Sequence, residues 1–223
     1  MGGTSMYKMI LTEGGSIGDI YVNTLRTDEH GAIYVHPVDQ VVVPEYDNFI
    51  KAGNSAPKYN LSWGNNFSYK GLSLGFLLMA RVGGIVVSQT QAVMDSYGAS
   101  QASADARDMG GALVNGRPID AQKYYTTIGG SGNTGGIGSM YVYSATNVRL
   151  GELSLGYDIP INKYVNWIQG LNVSFIGKNL FFLYKKAPFD PELTASTGTY
   201  FQGIDMFMSP SLRNLGFSVK VKF

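Results

Sequence analysis

Tyr59-Asn60-Leu61-Ser62-Trp63-Gly64-Asn65-Asn66-Phe67-Ser68-Tyr69, then Lys70-Gly71, then Leu72-Ser73-Leu74-Gly75-Phe76-Leu77-Leu78-Met79-Ala80-Arg81-Val82, is the stretch that decides the fold. Two eleven-residue runs flank a two-residue connection containing glycine, which is a hairpin signal. Folding the chain there sets Tyr69 opposite Leu72, Phe67 opposite Leu74, Asn65 opposite Phe76, Trp63 opposite Leu78, Leu61 opposite Ala80 and Tyr59 opposite Val82. Of those side chains only Asn65 is polar without an aromatic ring. The other face pairs Ser68 with Ser73, Asn66 with Gly75, Gly64 with Leu77, Ser62 with Met79 and Asn60 with Arg81, mostly small or polar groups. Each arm has the length of about 9–11 residues that a tilted strand needs to cross a bilayer. Strands in soluble proteins average nearer five or six residues, roughly half as long. A long hairpin with one continuous apolar face therefore favours lipid on that side.

The same period recurs downstream. Leu215, Phe217, Val219, Val221 and Phe223 alternate with Gly216, Ser218, Lys220 and Lys222, giving a strand with one apolar and one wet face. A soluble sheet can carry this alternation, but an unprotected apolar strand rarely forms a soluble chain end. The run 148–159 places Leu153, Leu155, Tyr157 and Ile159 on one side and Glu152, Ser154, Gly156 and Asp158 on the other. The run 171–183 alternates at Leu171, Val173 and Phe175 and then blurs through Ile176 and Gly177. Between them Pro160 stops the strand, and Ile161, Tyr164, Val165 and Ile168 suggest a short amphipathic turn. Met6–Thr12 is a further, short strand candidate. The remaining segments 13–57, 84–147 and 184–211 read as long, polar, Gly-rich loops, which compact soluble domains seldom contain. Short turns on one side and long loops on the other are the asymmetry of outer-membrane barrels.

Composition agrees. Charged residues are 15% of the 223, against about 25% in ordinary soluble proteins, while Gly, Tyr and Phe are abundant. The net charge of +1 offers no basic face for a nucleic acid. With two histidines and no cysteine, a thiolate or zinc site is excluded in practice. No apolar run reaches the 18 or so residues of a membrane helix, and no secretory signal is visible at the start. The fold class expected is all-β, with about five or six strands of a large antiparallel transmembrane barrel.

Five motifs in order then resemble a known family. Asn54-Ser55-Ala56-Pro57-Lys58-Tyr59 with Trp63 to Lys70, Ala145 to Tyr157 followed by Pro160, Gly177-Lys178-Asn179-Leu180, Asp190-Pro191-Glu192, and the strand ending at Phe223 are similar to the C-terminal end of the SusC/RagA-type TonB-linked outer-membrane transporters. The resemblance spans about residues 14–223. It implies a barrel of about 22 strands with a lumen plugged by an N-terminal domain. It further implies a SusD-like surface lipoprotein that captures an oligosaccharide or peptide, TonB as the energy source, and the outer membrane of a Gram-negative bacterium as the location. The chain carries no plug and no TonB-binding segment, so 1–223 is expected to be the C-terminal part of such a barrel, and Met1 need not be a natural start. Phe217, Val219, Val221 and Phe223 resemble the signal recognised during barrel insertion. Tyr184, Phe189, Tyr200 and Phe201, with Phe207, are the candidate ligand or partner contacts in the last long loop.

Other residues read as structural. His30 and His36 among Asp28, Glu29 and Asp39 are loop charges, and Asp105 and Asp108 lack the dense acidic loop of a calcium site. Gly110-Gly111 and the glycines of 129–138 lack the lysine of a phosphate loop and read as flexible loop. No cofactor is expected, and no nucleophile–base constellation supports an enzyme. Two alternatives stay open: a small self-contained barrel acting as an adhesin, which needs further strands within 84–147, and a soluble glycan-binding β-sandwich. The sandwich would bury Tyr59, Leu61, Trp63 and Phe67 in its core.

Overall fold

The computed structural model describes residues 2–130, 135–161, 167–193, 195, 198 and 201–223. In chain order the strands are β1 (Gly2–Gly3), β2 (Tyr7–Met9), β3 (Asp19–Leu25), β4 (Pro44–Asn54), β5 (Tyr59–Tyr69), β6 (Leu72–Val82) and β7 (Ile85–Ser88). Helices α1 (Gln89–Ser96) and α2 (Gln101–Asp108) follow, then β8 (Ala112–Val114), β9 (Arg117–Ile119) and helix α3 (Ala121–Gly129). A 3-10 turn (Gly138–Tyr141) leads to β10 (Val142–Ser144), β11 (Asn147–Ile159), β12 (Gly170–Lys185), β13 (Ile204–Asp205) and β14 (Asn214–Lys222). Strand makes up 49% against 14% helix, so the class is all-β. The chain divides into two bodies. One comprises Pro57–Gly83, Ala145–Pro191 and Pro210–Phe223; the other comprises Met1–Ala56, Gly84–Ser144 and Glu192–Ser209.

The first body is one antiparallel sheet in the order β14-β12-β11-β6-β5. The β5–β6 hairpin has the expected register at every position, from Tyr59 opposite Val82 to Tyr69 opposite Leu72. Lys70 and Gly71 have φ of 47° and 85°, the two positive values of the turn whose twist matches a hairpin. Strand β11 departs from simple alternation. Leu153 faces Phe76 and Leu150 faces Leu78, so Gly151 is an extra residue in a bulge. The bulge puts Val148 and Leu150 on the same face as Leu153, Leu155 and Tyr157, although their parity differs. On β12 the blurred stretch lies beside this irregularity, with Asn179 at φ 51°. The turn expected from Ile161, Tyr164, Val165 and Ile168 falls largely on 162–166, outside the described residues.

The second body corrects the loop reading of the long segments. Residues 13–57 contain β3 and β4; residues 84–147 contain β7 to β10 and three helices; and 184–211 contains β13. Its sheets run β1-β2-β3-β4, β10-β7-β13 and β8-β9. Only Tyr7–Met9 of the early 6–12 run is strand, and it pairs with β3. Met6, Tyr7, Ile20, Val22, Val87, Ala92, Ile128, Ile137, Tyr141 and Ile204 form a buried core. The glycines near 138 are not slack. A Cβ on Gly138 would lie 2.4 Å from the Met6 carbonyl oxygen and 2.8 Å from Val22 Cβ, so only glycine lets the chain cross this core. Gly110 and Gly111 donate N–H groups to the Arg107 and Ala106 carbonyls, closing the end of α2. Each helix starts on a capping side chain: Ser88 accepts from Gln91 N–H, Ser100 from Ser103 and Asp120 from Lys123. Among the described residues no helix is long and apolar enough to cross a membrane.

Candidate functional site

The register of the five-stranded sheet assigns every paired residue to one of two faces, because directly opposed residues in an antiparallel sheet share a face. Phe67, Leu74, Leu155, Phe175 and Phe217 form one row across all five strands. Tyr69, Leu72, Tyr157, Val173 and Val219 form the next. Towards the other end come Trp63, Leu78, Leu150 and Phe181, then Leu61, Ala80, Val148 and Tyr184. Phe76 makes an edge-to-face contact with Trp63 (centroids 5.4 Å apart) and stacks on Phe67 (6.3 Å), so the middle of the face is aromatic.

The opposite face is built from other residue types. Ser68, Ser73, Gly156, Ser174 and Ser218 line up across the five strands. The charged residues of these strands are Arg81, Arg149, Glu152, Asp158, Lys178, Lys185, Lys220 and Lys222, and the register puts all of them on this second face. Lys178 and Glu152 lie 3.6 Å apart there, and Asn172 Nδ2 donates to Asp158 Oδ1 at 2.7 Å.

The uncharged face is bare. Tyr59, Leu61, Trp63 and Phe67 are 54–63% exposed, so the sheet is not the covered layer of a sandwich within this chain. An eleven-residue strand is about 36 Å long and spans about 25 Å when tilted by about 45°, the height of the apolar band on a membrane barrel. A charged group in that band costs about 2–4 kcal/mol at mid-depth. A water-facing sheet has no comparable reason to keep charge from one whole face. The arrangement can therefore partition lipid from water.

Phe217, Val219 and Val221 sit on the outer edge strand β14, opposite Phe175, Val173 and Leu171. Phe223 lies just beyond it with its ring stacked on Trp167 (centroids 5.7 Å apart, planes within 12°). Phe217, Val219 and Val221 share a face. The described aromatic candidates of the last segment are divided between the two bodies. Tyr184 is on β12 opposite Val148, and Phe189 is half-buried just past that strand. Phe201 and the exposed Phe207 belong to the other body. Tyr200 lies outside the described residues.

The second body has its own polar centres. Asp95 is buried and accepts from Tyr141 Oη at 2.9 Å and from Gln91 Nε2 at 3.1 Å. Burial and the neighbouring Asp95 push the Tyr141 phenol far above its usual range, so it stays a neutral donor. Asp19 accepts from Lys51 Nζ, Asn54 Nδ2 and the Ser16 N–H, and these bonds, that of Lys51 foremost, hold its carboxyl at about 2. Ser88 Oγ donates to buried Asp205 at 2.6 Å, tying β13 parallel to β7. None of these pairs was foreseen from the sequence, although the caps Ser88, Ser100 and Asp120 were visible signals. The loop charges have structural employment: Asp28 Oδ1 accepts from the N–H groups of His30 and Ala32, and His36 Nδ1 is 3.0 Å from Asp39 Oδ2. Asp105 accepts from Gln101 Nε2.

The fold is all-β, a five-stranded antiparallel sheet with a second folded body in the connections between its strands. No protein-family model matches the sequence, and no curated protein matches it. Among solved structures it is similar to a chain of the RagAB peptide importer in the open-open state, with a TM-score of 0.61 at 16% identity over 98% of this chain and 24% of that one. A chain of the same importer in the closed-closed state gives a TM-score of 0.49 at 17% identity, covering 96% of this chain and 24% of that chain. The chain thus spans about a quarter of the length of the chains it matches.

Proposed function

We propose that the chain is the C-terminal part of a SusC/RagA-type, TonB-energised importer in the outer membrane of a Gram-negative bacterium. In this reading the uncharged face of β14-β12-β11-β6-β5 meets lipid and the Gly/Ser-rich face looks into the lumen. A SusD-like surface lipoprotein delivers an oligosaccharide or peptide, and TonB acts through a part of the protein outside these residues. The observation that carries the reading is the confinement of all the charges of five consecutive sheet strands to one face. The similarity of fold to a chain of a peptide importer supports it. Phe217, Val219, Val221 and Phe223 act as the insertion signal, and Tyr184, Phe189, Tyr200 and Phe201 as ligand or partner contacts.

Fractionation and co-purification test this reading on the full-length protein. It should be recovered in the outer-membrane fraction, extract with a lipoprotein bound, and lose uptake of its ligand in a strain lacking TonB. Recovery in the soluble fraction would overturn the membrane reading. Uptake that persists without TonB would overturn the energisation.

A further inference from the structure

Asp95 goes against the usual placement of a carboxylate in more than one way. It is 5% exposed, and among the described residues no basic side chain lies within ion-pair distance of it. Buried carboxylates are normally paired with a cation. It also stands in the last turn of α1, where the unpaired carbonyls already make the field negative and the helix has no basic residue. Its two hydrogen bonds come from neutral donors, Tyr141 and Gln91, and leave about half of a carboxylate's acceptor positions open. Burial first, and then the Asp95 charge, push the neighbouring phenols of Tyr125 and Tyr143 upward, so they too stay neutral.

The Asp95 side chain lines a cavity of about 200 Å³ between α1, α2 and α3, with Ser96, Ser103, Arg107, Gln122 and Thr126. Arg107, on α2, is held over the end of α1. Its Nη1 donates to the Gly98 carbonyl at 3.1 Å, and a Cβ on Gly98 would lie 2.7 Å from that nitrogen. Glycine at 98, with φ of 67°, turns the chain out of the helix and makes room for the guanidinium. The other guanidinium N–H groups are a fork suited to a carboxylate. Among the described residues Arg107 has no ionic partner either. One cavity thus presents a carboxylate without a cation and a guanidinium without an anion. Its volume is that of roughly seven waters and lies below the ~300 Å³ at which pockets for drug-sized ligands begin. That is room for one amino acid and not for an oligosaccharide.

We propose that this cavity binds a zwitterion of single-amino-acid size, its ammonium received by Asp95 and its carboxylate by Arg107. The ammonium fills the open acceptor positions, supplies the cation that Asp95 lacks and offsets the negative field at the end of α1. All these residues belong to the second body, so the inference goes beyond the transport reading and does not depend on it.

Calorimetric titration of the full-length protein in detergent tests this, with glycine, L-alanine, L-leucine and L-glutamate as probes. At least one should bind at millimolar concentration or below. Ethylammonium, propionate and glucosamine each carry only part of the charge pattern and should bind at least about tenfold more weakly. Asp95→Asn and Arg107→Gln should each weaken binding roughly 10- to 100-fold, the loss of a charge-assisted hydrogen bond. Asp108→Asn, on the same helix but outside the cavity lining, should leave binding unchanged. Asparagine at 95 keeps both bonds once the Gln91 amide turns over, so the urea midpoint should hold or rise. Arg107 is exposed, so Arg107→Gln decides the question even where Asp95→Asn lowers that midpoint. Binding of none of the four amino acids, or binding that survives Arg107→Gln, would overturn the site. Ethylammonium, propionate or glucosamine bound as tightly as the amino acid would overturn the zwitterion. None of these outcomes touches the lipid-facing sheet, which fractionation decides.

Discussion

Leu155→Arg is the most direct challenge to the two-faced sheet. Leu155 lies on the central strand β11, between Leu74 on β6 and Phe175 on β12, and is 47% exposed. The midpoint of β11 (Asn147–Ile159) is Leu153. Two residues at about 3.3 Å each, tilted by about 45°, place Leu155 about 5 Å from mid-depth. Arginine there should cost about 2–4 kcal/mol. Val221 pairs with Leu171, itself opposite Ile159, about 14 Å from mid-depth by the same geometry. Val221→Arg should therefore cost only about 0–1 kcal/mol. Ser174, next to Phe175 but on the polar face, should take arginine within about 0.5 kcal/mol. The assay is urea unfolding of the full-length protein in phospholipid vesicles, read as the midpoint at constant slope. A Ser174→Arg loss matching that of Leu155→Arg, or no gradient between Leu155 and Val221, would show that the uncharged face does not meet lipid.

Three further outcomes are expected. Phe223→Asp should reduce the full-length protein in the outer-membrane fraction far more than Leu113→Asp on the exposed β8–β9 hairpin; equal amounts would make Phe223 an ordinary packed residue. Tyr141→Phe leaves buried Asp95 with Gln91 alone and should destabilise the second body by about 1.5–3 kcal/mol in denaturant titration; a loss below about 0.5 kcal/mol would mean that Gln91 suffices. The Asp19 carboxyl at about 2 lies below its unfolded value near 4. Its stabilisation is thus full above about pH 4 and is lost as pH falls towards 2. Asp19→Asn should flatten that limb of the stability–pH curve, and an unchanged limb would place the acid sensitivity elsewhere.

The sequence by itself determined the long sheet. In β5, β6 and β14 apolar residues recur at every second position, which puts them on one face of the sheet. The two-residue Lys70-Gly71 turn leaves only one register that keeps Phe67, Leu74 and Trp63 together on one face. Tertiary structure decided the rest, for identifiable reasons. Gly151 bulges on β11, so Val148 and Leu150 rejoin the apolar face despite their parity, which only pairing with β6 reveals. Strand β3 reads Asp-Ile-Tyr-Val-Asn-Thr-Leu and is buried or half-buried along its whole length, so no alternation marks it. The helices are eight or nine residues long and polar, too short to show a stripe, and they form because Ser88, Ser100 and Asp120 cap them and a distant core receives them. That core joins Met6, Val22, Ile137 and Ile204. The stacking of Trp167 on Phe223 likewise joins residues that are not neighbours in the chain. Local periodicity records which solvent a strand borders, whereas contacts between distant segments depend on how the chain closes and leave no period to read.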